Sequence, residues 1–165
     1  MPKRILFVCT GNSCRSVMAQ AWLQKRLMDV SHQLAEPVDV ASAGLGAVEG
    51  MGASRETVKL LQRDGLDVTG HMARLLSDDM VRHADLIFVM EQFHLLDVLR
   101  RVPQARDKVH LLKTYGVPNP DGVIQPNIPD PIGRPPETYE VCFAEIREAV
   151  ERVVQSLATS SEPER

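Results

Sequence analysis

Cys9 and Arg15 bracket five residues in the segment Cys9-Thr10-Gly11-Asn12-Ser13-Cys14-Arg15-Ser16. The segment follows a short apolar run, Ile5-Leu6-Phe7-Val8, and opens a stretch of helical periodicity. Backbone N–H groups at a helix start point toward an anion and stabilise it. Gly11 and Asn12 both tolerate positive φ, which lets successive N–H groups turn inward as a nest. Residues Thr10, Gly11, Asn12, Ser13, Cys14, Arg15 and Ser16 are therefore expected to cradle a tetrahedral oxyanion. A thiol beside a helix N-terminus and a guanidinium is favoured as the thiolate. At the floor of such a nest that sulfur is placed for in-line attack on phosphorus. Arg15 offers a rigid fork for two equatorial oxygens, stabilising their charge as the phosphoryl group transfers. Ser16 is a candidate donor to the sulfur anion. Neither G-x-x-x-x-G-K-[ST] nor G-x-G-x-x-G occurs, so the loop is not a nucleotide cradle of either kind.

The elements that must hold this segment are legible from hydrophobic spacing. Residues 4–8, 38–43, 84–90 and 108–112 read as short buried strands. Residues 16–33, 53–63, 77–82, 93–102 and 136–157 read as helices, with Ser77 as a cap, Gly65 as a stop and Pro103 ending the fourth. Residues 114–136 hold seven of the eleven prolines and predict a long functional loop. Strands alternating with helices predict an α/β fold, a doubly wound three-layer sandwich on a four-stranded parallel sheet. Ligands of such sheets bind beyond the carboxyl ends of the strands, and the first strand ends at Cys9.

Composition narrows the function classes. The chain has 165 residues, 44% hydrophobic and 25% charged, with a formal net charge of −3. One domain over residues 1–158, with a polar tail at 159–165, accounts for the pattern. The net charge argues against a nucleic-acid binder that relies on bulk positive charge. No apolar run is long enough to span a membrane, and no secretory core follows the basic start, so a cytoplasmic location is expected. Three cysteines are too few for a disulfide scaffold and read as thiols in a reducing compartment. The five histidines are scattered, so neither a metal site nor a cofactor is expected. Nothing points to an oligomer, and a monomer is the default.

The segment Val8-Cys9-Thr10-Gly11-Asn12-Ser13-Cys14-Arg15-Ser16 resembles the signature loop of the low-molecular-weight protein tyrosine phosphatases. Their phosphotyrosine protein phosphatase I-like fold is shared by protein-arginine phosphatases and thioredoxin-coupled arsenate reductases. Further motifs resemble the family in order: Ser42-Ala43-Gly44, Gly70-His71-Met72-Ala73-Arg74, Ala84-Asp85-Leu86, and Asp130-Pro131 entering the last helix. The resemblance implies a two-step reaction on a phosphorylated protein or small phosphate ester. Cys9 attacks to form a phosphocysteine, while Asp130 protonates the leaving group and then activates water. It implies that Asn12 holds the loop conformation, with Ser42 and His71 supporting it from behind. Asp121 is the rival acid, and Asp130 before a proline is otherwise an ordinary turn residue. Cys14 is either a packed residue or, as the resemblance implies, the partner of a reversible redox disulfide with Cys9. Cys142 lies on an apolar helical stripe and reads as inert core.

Three departures bear on substrate. Family aromatics that sandwich a phosphotyrosine ring are replaced by Ile132 after the Asp-Pro pair and by aliphatic residues such as Val48 in the loop after Ser42-Ala43-Gly44. Tyr115 is the one aromatic that the long loop offers as a substitute. Ser13 brings a hydroxyl where many tyrosine phosphatases carry an aliphatic residue, as the threonine of arginine phosphatases does. No cysteine occurs in Val89-Met90-Glu91-Gln92-Phe93-His94, where an arsenate reductase needs relay thiols. The expected activity is thus a phosphotyrosine phosphatase, with phosphoarginine as the alternative substrate. Arsenate reduction and a non-enzymatic anion or redox sensor stand behind both.

Overall fold

The computed structural model describes residues 2–119 and 121–159. Four strands, β1 (Lys3–Cys9), β2 (Val38–Gly44), β3 (Leu86–Val89) and β4 (Val109–Leu111), pair in parallel in the order β2-β1-β3-β4. Five helices connect or follow them: α1 (Arg15–Asp29), α2 (Arg55–Arg63), α3 (Asp78–His83), α4 (Gln92–Arg101) and α5 (Pro136–Thr159). The strand order reverses between β1 and β3, and the crevice that opens there lies beyond Cys9.

β1 is buried on both faces, so its apolar run is continuous while its side chains still alternate. Ile5, Phe7 and Cys9 join the core under α1 and α5, and Leu6 and Val8 join the core under α3 and α4. β3 repeats the division, with Phe88 on the first side and Ile87 and Val89 on the second. Phe7 stacks on Phe88 at 5.7 Å between centroids. Burying each such ring is worth about 1.5–3 kcal/mol. Cys9 is therefore fixed by strand packing before any loop contact is made.

α1 is locked to α5. The Trp22 ring meets Phe143 edge-on at 5.9 Å, Trp22 Nε1 donates to Glu151 Oε1 at 3.2 Å, and Arg26 Nε pairs with the same carboxylate at 2.7 Å. This fixes the direction in which the N-terminus of α1 points.

Most elements differ by one or two residues at an end from the sequence reading, and three of the differences have a physical reason. α1 stops at Asp29, and residues 31–33 form a separate 3-10 turn. Val30 leaves helical geometry at φ −110° and ψ 15° while its side chain packs on the core, and the Ser31-His32 pair that follows favours helix weakly. β3 is shorter than the apolar run 84–90, because Ala84 and Asp85 lead from the end of α3 into the sheet. α5 runs through Thr159, so of the expected tail only residues 160–165 remain, and they lie outside the described residues.

The proline-rich segment joins the protein at defined points. Ile128 N–H donates to the Met90 carbonyl at 2.9 Å, and Asn127 Oδ1 accepts from Gln92 N–H at 2.8 Å. Those bonds bring residues 127–130 to the carboxyl end of β3. Tyr115 turns inward instead, packing on Phe88 at 4.8 Å and bonding Ser156 at 3.1 Å. It is no substitute for a missing aromatic wall.

Candidate active site

The loop between β1 and α1 is shaped by Asn12, which adopts φ 52°, the only positive φ among the described non-glycine residues. Asparagine tolerates this region because its short polar side chain bonds locally. Its fully buried amide donates to Ser16 Oγ at 2.8 Å and to Ser42 Oγ at 2.9 Å, while its Oδ1 accepts from Arg74 N–H at 3.0 Å. Ser42 in turn donates to Gln20 Oε1 at 2.5 Å. His71 Nε2 donates to the Asn12 carbonyl at 2.7 Å. Ser16 on α1, Ser42 on β2, and His71 and Arg74 before α3 thus hold Asn12, while Gln20 steadies Ser42.

Gly44 explains why the chain after β2 can lie against this loop. A Cβ at position 44 would stand 2.4 Å from the Thr10 carbonyl oxygen and 2.8 Å from Asn12 N. Only glycine permits backbone to pass backbone there. Gly44 also exchanges backbone bonds with Arg74 and Leu76, which brings the segment around His71 into place.

The Cys9 sulfur is buried and lies 2.9 Å from Ser16 Oγ and 3.3 Å from Asn12 N–H. Both groups stabilise negative charge on sulfur. The N-terminus of α1 adds to this. It has no side-chain cap and no acidic residue in its first turn, so its partial positive charge is left for the loop.

Arg15 is 1% exposed, although it opens a helix. Its Nη1 donates to Glu91 Oε2 at 2.6 Å and to the Ile128 carbonyl at 2.7 Å, and its Nη2 stands 3.5 Å from Asp130 Oδ2. Asp130 is partly exposed at the same mouth, and its Oδ1 accepts from Ile132 N–H at 3.1 Å. Asp121 is exposed and makes no ion pair among the described residues.

Two residues here had no assigned role in the sequence reading. Glu91 is the principal anion facing Arg15. His94 is fully buried and accepts from Glu91 N–H through Nδ1 at 3.0 Å, which leaves the proton on Nε2 to bond Thr10 Oγ1 at 2.9 Å. Burial, helped by the nearby Arg15 charge, pushes its pKa down to about 4. His94 is therefore a neutral strut between α4 and the loop. The available signal was position: both follow β3 at the carboxyl edge of the sheet.

Cys14 donates through sulfur to Ser54 Oγ at 3.2 Å, and Ser54 caps α2. Burial pushes the Tyr139 hydroxyl beside this group up to about 12. Burial likewise raises the Cys142 thiol to about 12. Ser13 is half-buried, and its hydroxyl is 3.7 Å from the Cys14 sulfur. Val48 and Ile132 are exposed at 66% and 54%, so the residues standing for the family's aromatic walls are aliphatic and open to solvent. Among the described residues no three His, Cys, Asp or Glu side chains group to hold a metal ion.

A parallel α/β sheet carrying a buried cysteine in an anion nest at its switch point, with an arginine at the far end of the loop, defines a cysteine-based phosphoryl-binding fold. Residues 4–162 match the family model described as low molecular weight phosphotyrosine protein phosphatase, and the chain belongs to that family. It is 35% identical to a protein-arginine-phosphatase of Geobacillus stearothermophilus over 96% of this chain and 99% of that protein. It is 32% identical to the low molecular weight protein-tyrosine-phosphatase Wzb of Escherichia coli K12, over 95% and 97%. Among solved structures, the arginine phosphatase YwlE of Geobacillus stearothermophilus superposes with a TM-score of 0.83 at 33% identity, covering 99% of this chain and 100% of that one. The tyrosine phosphatase AmsI of Erwinia amylovora gives 0.80 at 30% identity, covering 95% and 94%.

Proposed function

We propose that the protein hydrolyses phosphotyrosine in proteins through a phosphocysteine intermediate. The observation that carries this reading is the Cys9 sulfur, held by the Ser16 hydroxyl and Asn12 N–H beneath the open end of α1, with Arg15 and Asp130 meeting at the same mouth. In the first step the Cys9 thiolate forms a bond to phosphorus as the ester oxygen leaves. Asp130 gives that oxygen its proton. In the second step Asp130, now a carboxylate, takes a proton from water as the water oxygen attacks phosphorus. The S–P bond breaks and inorganic phosphate is released. The loop N–H groups and Arg15 stabilise charge on the equatorial oxygens in both steps. Glu91 and the Ile128 carbonyl fix the guanidinium from behind, so the fork does not reorganise on binding.

Three free thiols suit a reducing compartment such as the cytoplasm. The test is turnover of para-nitrophenyl phosphate. Cys9→Ser is expected to abolish it and Asp130→Asn to reduce it by roughly 10²-fold or more. Full turnover by Cys9→Ser would overturn the mechanism.

A second reading, phosphoarginine as substrate, is favoured by the aliphatic rim of Val48 and Ile132 and by the Ser13 hydroxyl. The relationship to a protein-arginine-phosphatase supports it too. A stacked aromatic pair is worth about 0.5–1.5 kcal/mol beyond its buried area, so a phosphotyrosine ring gains less here than between two aromatic walls. Phosphotyrosine and phosphoarginine peptides compared side by side decide between the two. Ser13→Ile is expected to shift preference toward phosphotyrosine, and a preference unchanged from wild type would remove Ser13 from the selectivity argument. Arsenate reduction is disfavoured, since no cysteine directly follows β3 to serve as a relay thiol and Cys142 is buried in the core.

A further inference from the structure

The face of α4 beside the mouth carries apolar side chains that the chemistry above does not use. Phe93 is 51% and Leu96 68% exposed. With Leu45, Asp97, Arg100 and Arg101 they line an open groove of about 410 Å³. Two contacts tie the lining of this groove to the nucleophile loop. Leu45 N–H donates to the Cys9 carbonyl at 2.9 Å. The Phe93 ring packs on His94 at 4.2 Å between centroids, and His94 is the strut to Thr10. The groove is thus anchored to the same backbone that holds the sulfur. Its charge is also lopsided. Arg100 and Arg101 both pair with Asp97, two cations for one carboxylate, and Arg100 projects into solvent.

Exposed apolar patches with a polar rim mark sites of association. We propose that this groove docks the protein substrate itself, through a segment flanking the phosphorylated residue that carries a large apolar side chain next to an acidic one. The inference rests on the protein-phosphatase reading and names the sequence context that it selects. An extended chain advances about 3.3 Å per residue and alternates its side chains, so a segment seated at the mouth reaches the neighbouring groove within a few residues. The apolar floor takes the hydrophobic side chain, and the surplus cation at the rim takes the carboxylate. A small aryl phosphate, having no flanking chain, does not reach it.

The experiment uses phosphotyrosine and phosphoarginine peptides, each synthesised with Leu-Asp, Ala-Asp, Leu-Lys or Ala-Lys flanks, and para-nitrophenyl phosphate as the reference. The enzymes are wild type, Leu96→Asp and Arg100→Glu. On whichever phosphoresidue is turned over, wild type is expected to prefer the Leu-Asp flank by about 10-fold in kcat/KM, through KM. Leu96→Asp is expected to erase the apolar preference and Arg100→Glu the acidic one. Both retain wild-type turnover of para-nitrophenyl phosphate, which also shows that they fold. A wild type indifferent to flank, or variants that keep the full preference, would overturn the docking proposal while leaving the phosphatase reading intact. Hydrolysis of para-nitrophenyl phosphate with no peptide of either kind accepted would remove the protein-substrate reading, and the groove's role with it.

Discussion

Arg15 Nη1 lies 2.6 Å from Glu91 Oε2, so the guanidinium at the head of α1 is neutralised by the residue that precedes α4. The pair joins elements 76 positions apart across the switch point of the sheet. Glu91→Ala leaves a buried cation with the Ile128 carbonyl and a more distant Asp130. Stability is expected to fall by about 1–3 kcal/mol, read from urea unfolding, with kcat/KM on para-nitrophenyl phosphate down about 10-fold. Wild-type stability and turnover would show that Glu91 does not organise Arg15.

Gly44→Ala tests the backbone crossing beneath the loop. The added methyl meets the Thr10 carbonyl at 2.4 Å, and both partners are backbone, so neither moves aside cheaply. The expected outcome is a loss of about 1–3 kcal/mol and of most turnover, because the displaced atoms belong to the anion nest. Gly52→Ala is the control, since a Cβ there meets nothing within 4 Å. Equal behaviour of the two variants would dismiss the crossing as a constraint.

Asn12 separates conformation from hydrogen bonding. Asn12→Gly keeps access to φ 52° and loses the bonds to Ser16, Ser42 and Arg74. Asn12→Ala loses the bonds and access as well. The alanine variant is expected to be less stable than the glycine variant by about 1 kcal/mol, with both well below wild type in turnover. Thermal unfolding of the three proteins side by side gives the ranking, and alanine matching glycine would locate the whole effect in the bonds.

His94 gives the protein an acid sensitivity of calculable sign. Its folded pKa of about 4 lies below the ordinary 6.5, so between these values the unfolded chain binds a proton that the native state refuses. Stability from this residue is full above pH 6.5 and is lost as pH falls toward 4, amounting to about 3 kcal/mol over the whole window. Urea unfolding at pH 7 and 4.5 is expected to show wild type losing about 2–3 kcal/mol more than His94→Gln. An equal loss in both proteins would mean that His94 is not held neutral.

What could be read from sequence, and what could not, follows from range. Strands buried on both faces declare themselves as apolar runs, so β1 and β3 were evident. The Cys9–Arg15 loop is local, with its glycine, asparagine and helix start contiguous. Glu91 and His94 were obscure because a polar residue at the start of a helix looks like an ordinary surface position. Only the approach of β3 to β1 turns them toward the loop. Tyr115 failed as a wall for a similar reason: its neighbour in space is Phe88, far from it in sequence. The end of α1 at Asp29 was missed because no glycine or proline marks it, the change at Val30 being imposed by packing.

The bond from Arg15 to the Ile128 carbonyl has a consequence for biosynthesis. The ribosome releases Cys9 and Arg15 before Glu91, and Glu91 before Ile128 and Asp130. A nascent chain that has passed its first strand and helix has Cys9 and Arg15 with neither Glu91 nor Asp130 yet beside them. The proposed acid and the second anchor of Arg15 therefore join the nucleophile only after residues 128–130 have been made and have docked at the end of β3.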